Sequence, residues 1–147
     1  MTDIVLDANA LRILLNSKYV EKVKEECDHI YISKKWRKVY QGIKELSMGL
    51  QIFSFNVKKL WREKKLHEVS GKSSLPSNIY RELKKKKASE DDFEISQIAY
   101  DRLKSGGGKV ILVSNNHHIT QLRSAFERDG IVIEEVNEEL KRLKALS

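Results

Sequence analysis

Four short runs of strand-forming residues, each followed by a stretch of helical periodicity, constrain this chain more than any other feature. They are Ile4-Val5-Leu6, His29-Ile30-Tyr31-Ile32, Val110-Ile111-Leu112-Val113 and Ile131-Val132-Ile133. A strand with one wet face alternates apolar and polar residues, and these runs do not. They therefore predict strands buried on both faces, which is the signature of a parallel sheet with helices packed on either side. The expected fold class is α/β: a three-layer α/β/α sandwich with a central, mainly parallel sheet. A chain of 147 residues suits one domain over 1–147 with one core. In such sheets ligands bind beyond the carboxyl ends of the strands, near the point where strand order reverses.

The segments between these runs read as follows. Leu11, Ile13, Leu14 and Leu15 continue the first run into a helix, and Tyr19 to Glu26 read as helix with charges outward. Ser33 can cap a helix in which Trp36, Val39, Tyr40, Ile43 and Leu46 keep a 3.6-residue period. Leu50 to Phe55 fit either strand or loop, and Val57 to His67 read as helix. Gly71 to Ser77 is the clearest loop and holds the single proline. Asn78 to Lys87 predicts a very basic helix, and Ser89-Glu90-Asp91-Asp92 starts another, stopped by Gly106-Gly107-Gly108. Ile119 to Arg128 reads as helix, and Asn137 caps a terminal helix to Leu146.

Charge is distributed unevenly along the chain. Residues 1–33 carry four basic and six acidic side chains, residues 34–87 sixteen and four, and residues 88–147 eight and eleven. The whole excess behind the net charge of +7 thus lies in the middle third. Such a block attracts polyanions through counterion release and steering, which favours a nucleic-acid partner somewhat over the alternative of a solvated Lys-rich helical surface. No apolar run approaches the roughly 18 residues of a membrane span. The N-terminal residues carry no signal-peptide pattern, and one cysteine, Cys27, forms no internal disulfide. A cytoplasmic protein is expected.

Three segments place polar residues where a site is expected: Asp7-Ala8-Asn9 after the first strand, Asp91-Asp92 at a helix start, and Ser114-Asn115-Asn116-His117-His118 after a strand. Each has a structural explanation. Asp7 can cap a helix, acids favour a helix N-terminus, and paired histidines often decorate loops.

The order of these segments resembles the PIN-domain family of small α/β/α nucleases and their relatives. That family opens on a strand ending in Asp-x-Asn, matched by Ile4-Val5-Leu6-Asp7-Ala8-Asn9. A strand and a Ser-led helix with a Glu follow; Ile32 to Tyr40 has this shape, with Val39 where the Glu is expected. Next comes an Asp with Ile three and Ala seven residues on, matched by Asp92, Ile95 and Ala99. The fourth motif is a strand ending in Ser or Thr, one residue, then Asp; Ser114-Asn115-Asn116 puts Asn at that Asp. Gly130-Ile131-Val132-Ile133 and the terminal helix also agree, so the resemblance spans nearly the whole chain.

The resemblance implies an Mg²⁺- or Mn²⁺-dependent phosphodiester hydrolase acting on RNA, a toxin of a toxin–antitoxin pair or an RNA-processing enzyme. Its four acids become Asp7, Val39, Asp92 and Asn116, so two carboxylates remain. Loss of two charges at about 4 Å and an effective dielectric of about 20 weakens dication binding by several kcal/mol. In the nuclease reading Asp7, Asp92 and Asn116 are catalytic, and Asp7, Asp92 and Asp91 hold the metal. Asp91 or Glu94, close to Asp92 in sequence, or Glu45, two helical turns from Val39, could replace the missing acids although none stands at a matching position, and His117 or His118 would suit a softer ion. Asn9, Ser114, Lys34, Lys35, Arg37, Lys38, Lys58, Lys59 and Arg62 would bind substrate. The alternative is a non-catalytic PIN-like module for RNA or a protein partner. There Lys64, Lys65 and Lys84 to Lys87 join the phosphate contacts, and Trp36, Tyr40, Trp61 and Tyr80 lie among them as core or stacking residues. A homodimer or an antitoxin-like protein partner is compatible with either reading.

Overall fold

A computed structural model of the chain describes residues 2–15, 18–35, 58–60, 62–63, 65–106 and 108–145. Its centre is a parallel five-stranded sheet of β1 (Thr2–Leu6), β2 (His29–Ser33), β3 (Leu66–Val69), β4 (Lys109–Val113) and β5 (Ile131–Glu134), in the order β3-β2-β1-β4-β5. The helices are α1 (Ala8–Leu15), α2 (Val20–Glu26), α3 (Ser77–Lys85), α4 (Glu90–Ser105), α5 (His117–Thr120), α6 (Arg123–Arg128) and α7 (Val136–Ala145).

Because side chains alternate along a strand, each apolar run supplies both faces of the sheet. Ile4, Leu6, Ile30, Ile32, Ile111 and Val113 pack on one face against Leu11 and Leu14 of α1, Val23 of α2 and Leu143 of α7. Val5, Tyr31, Val110, Leu112, Ile131 and Ile133 pack on the other against Ile79 and Leu83 of α3, Ile95, Ile98 and Ala99 of α4 and Phe126 of α6. The result is the expected three-layer α/β/α sandwich. Phe126, fully buried, is worth about 3–5 kcal/mol against truncation to Ala. Among the described residues no helix is long and apolar enough to cross a membrane.

Several boundaries depart from expectation. The Val57 to His67 helix does not extend that far: Lys58 to Leu60 are helical, but Leu66 and His67 open strand β3. There they pair with β2, Ile30 to Leu66 and Tyr31 to His67. The expected Ile119 to Arg128 helix is two short helices parted by a turn at Gln121 and Leu122. Asn137 lies inside α7 rather than capping it, and the Asn115 side chain supplies the cap, accepting from the Val136 amide at 2.8 Å. The basic helix stops at Lys85, because Lys87 turns left-handed at φ 55°. The amides of Lys87 and Ala88 then bond the carbonyls of Lys84 and Leu83 at 3.1 and 3.0 Å, which closes a Schellman motif. The expected helix from Trp36 to Leu46 and the segment Leu50 to Phe55 lie outside the described residues.

The loop after β3 runs tightly over α4. A Cβ on Gly71 would sit 2.6 Å from the Gln97 Cβ, so a side chain there would push the loop away. Asp101 of α4 then accepts the amides of Lys72 and Ser73 at 2.9 and 2.7 Å.

Candidate functional site

β1 and β4 are neighbours at the middle of the sheet, and the chain proceeds outward from them in opposite directions, to β2 and β3 on one side and β5 on the other. This is the point where strand order reverses, and the carboxyl ends of the two strands border the crevice. Asp7 follows β1 directly and Ser114 to Asn116 follow β4. The third contributor arrives from α4, which Ser89 starts with a capping box: its hydroxyl accepts the Asp92 amide at 3.3 Å and its amide donates to Asp92 Oδ2 at 3.1 Å. That box points the Asp92 carboxylate back toward the sheet edge.

A continuous hydrogen-bonded chain connects these residues. Asp7 Oδ1 accepts the Ala10 amide at 2.7 Å, and Oδ2 accepts the Ser114 hydroxyl at 2.5 Å. Ser114, fully buried, also accepts the Asn116 amide at 3.0 Å. Asn116 Nδ2 donates to Asp92 Oδ1 at 2.7 Å, while its Oδ1 accepts the His118 amide at 2.9 Å. Burial holds the Asp7 carboxyl above the usual aspartate range; the neighbouring charge of Asp92 adds to this, and the bonds from Ser114 and Ala10 oppose it. Asp7, Asp92 and Asn116 thus meet, with Ser114 as their link.

The Asn116 amide has its orientation fixed by this network. A backbone N–H can only donate, so the carbonyl oxygen must face His118 and the NH₂ must face Asp92. Where the four-acid pattern would offer a third carboxylate, the pocket offers a hydrogen-bond donor. Each oxygen of Asp7 and Asp92 already accepts one protein donor. Asp91 is exposed on α4, and among the described residues no three His, Cys, Asp or Glu side chains group so as to hold a metal ion. Among the described residues the pocket thus presents two carboxylates and an amide donor, where an Mg²⁺ or Mn²⁺ ion asks for acceptors in near-octahedral order.

The other expected contacts divide. Asn9 is exposed on α1 and accepts from Arg12 at 3.2 Å. Lys34 and Lys35 are exposed at the end of β2, and Lys35 Nζ lies 3.6 Å from Glu94. Glu94 also accepts the Ser33 hydroxyl, so it lies against the β2 exit. Lys58 and Arg62 are exposed, whereas Lys59 pairs with Glu21 at 3.3 Å. His118 is half-buried, its Nδ1 without a partner, and its ring centroid lies 4.1 Å from that of exposed His117. Arg37, Lys38, Val39, Glu45 and Lys64 lie outside the described residues.

Two polar clusters escape sequence reasoning altogether. Arg142 is bridged to Glu26, Glu134 and Glu139, and Glu139 is fully buried. Burial, with the Glu134 carboxylate beside it, pushes the Glu139 carboxyl up to about 9. On the opposite face of the sheet, His29 Nδ1 and His67 Nε2 share a hydrogen bond at 2.9 Å, and Tyr31 stacks on His67. Only β3, invisible in the sequence as a strand, brings His67 beside His29.

No family model and no curated protein matches this chain. The resemblance to PIN domains rests on the residues quoted above.

Proposed function

We propose that this protein is a PIN-like module that binds RNA without cleaving it. The observation that supports this reading is the direction of the Asn116 amide. A group that donates to Asp92 satisfies the carboxylate within the protein, where a nuclease would leave its oxygens open to a cation. Exposed Lys34 and Lys35 stand beside the same edge, and Arg81, Lys84 and Lys85 are exposed on α3, so the surface keeps its attraction for phosphates. The reading includes a cytoplasmic setting, consistent with one cysteine, Cys27, that is buried and free.

A second reading, the metal-dependent ribonuclease, draws on one observation: Asp7 and Asp92 are close enough to repel, and a dication would relieve that repulsion. A short single-stranded RNA, incubated with the protein with and without Mn²⁺, separates the two. The binding module retains the RNA intact, with affinity falling steeply as salt rises. Divalent-dependent cleavage that disappears in both Asp7→Asn and Asp92→Asn establishes the nuclease instead. Absence of both cleavage and retention leaves a protein-binding role.

A further inference from the structure

We infer that the cleft between α3 and α4 is a binding site for one nucleobase of single-stranded RNA, stacked on Tyr80. The inference rests on the RNA-binding reading above and adds to it where the strand is held. Among the described residues Tyr80 is the large apolar side chain left in solvent, 45% exposed. It lines a cleft of about 390 Å³ with Ser74, Leu75, Ser77, Phe93 and Gln97. That volume falls within the range of ordinary small-ligand sites, about 300–1,000 Å³.

The lining suits a base. Phe93 stands edge-on to Tyr80 with centroids 5.7 Å apart, forming an aromatic corner, and Leu75 adds apolar surface. The hydroxyls of Ser74 and Ser77 and the Gln97 amide each both donate and accept, as the edge of a base requires. Charge selects the same occupant. Lys84 holds its ammonium 5.2 Å from the Tyr80 ring centroid, and residues 77–87 carry five basic side chains to one acidic. Nearby acids are Glu90 and Asp91 at the start of α4, and Asp101, whose carboxylate is occupied by two loop amides. Those amides, with the close approach at Gly71, fix the wall that carries Ser74 and Leu75, so the cleft exists before anything enters it. Phe93 directly follows Asp92, so the cleft and the acidic pocket flank the same turn of α4.

The test measures binding of a labelled short oligouridylate by fluorescence anisotropy, alongside an abasic strand with the same phosphates. Uridine monophosphate is titrated separately while the Tyr80 and Phe93 ring resonances are followed by NMR. Tyr80→Ala is expected to weaken oligouridylate binding roughly 5- to 150-fold, the range of one lost base–aromatic stack. Tyr80→Phe keeps the affinity, and the abasic strand binds wild type and Tyr80→Ala alike. Because Tyr80 is exposed, both variants should melt like wild type. Tight oligouridylate binding with no loss in Tyr80→Ala overturns the cleft and leaves the RNA reading intact. Nucleotide shifts at both rings without any oligouridylate binding overturn the RNA reading and leave a mononucleotide site. Neither shifts nor binding overturns both.

Discussion

Asn116 Nδ2 donates to Asp92 Oδ1 at 2.7 Å, while the same amide accepts from His118 on its other side. An aspartate in its place would keep the bond to His118 and turn a second negative oxygen on Asp92. Asn116→Asp should therefore cost about 1–3 kcal/mol in metal-free buffer and lower Tm by several degrees. Mn²⁺ should return much of that loss to the variant and little or nothing to wild type. Thermal melts with and without Mn²⁺ decide it, and an equal gain in wild type would speak for a working metal site.

Desolvation raises the Asp7 carboxyl, so its folded-state pKa lies above that of the unfolded chain. The folded state then holds this proton more tightly. The contribution of Asp7 to stability is greatest below the unfolded value of about 3.9 and declines as pH rises through the folded one. Asp7→Asn removes the charge and keeps an oxygen for the Ala10 amide. Its NH₂ then faces the Ser114 hydroxyl, which loses an acceptor, so the variant should melt below wild type near pH 3 and gain on it as pH rises toward 7, as followed by circular dichroism.

Glu139 behaves in the same sense over a wider window. With its carboxyl pushed up from 4.5 to about 9 by burial and by Glu134, its contribution falls away as pH rises between those values. Glu139→Gln should be close to neutral near pH 4.5 and gain steadily on wild type as pH rises toward 9. Urea midpoints across that range provide the measurement, and a variant that loses stability at every pH would show that Glu139 is charged throughout.

Lys87 holds the left-handed position of its Schellman motif, where a β-carbon costs about 1–2 kcal/mol. Glycine would lose about 0.5–1 kcal/mol of that gain to greater freedom in the unfolded chain. Lys87→Gly should thus stabilise by about 0.5–1 kcal/mol, and Lys87→Ala, which retains the β-carbon, should gain nothing. Paired melts of the two variants separate backbone strain from loss of charge.

What could be read from the chain alone follows from how each feature is encoded. Strands β1, β2 and β4 lie inside the sheet with both faces covered, so burial writes them as apolar runs. The capping signature at Ser89 is local, and the structure forms it as a capping box. Strand β3 is an edge strand with only Leu66 fully buried, and its Leu66-His67-Glu68-Val69 sequence spaces apolar residues as a helix would. Nothing local marks it. The convergence of Asp7, Asp92 and Asn116 was legible through strand exits and motif order. The direction of the Asn116 amide was not, because it is set only once Asn116 caps the short helix that begins at His117 and its oxygen takes the His118 amide. Asn115, likewise, reads as one more polar loop residue until α7 is brought within its reach.

Three consecutive residues therefore grip three different parts of the molecule: Ser114 holds Asp7 after β1, Asn115 the first amide of α7, and Asn116 the start of α4. Neighbouring side chains cannot slide independently, so removing a single position here would unfasten all three at once, whatever was deleted. The tripeptide acts as a rivet, and the loop it occupies has little room to drift in length even if its chemistry is free to change.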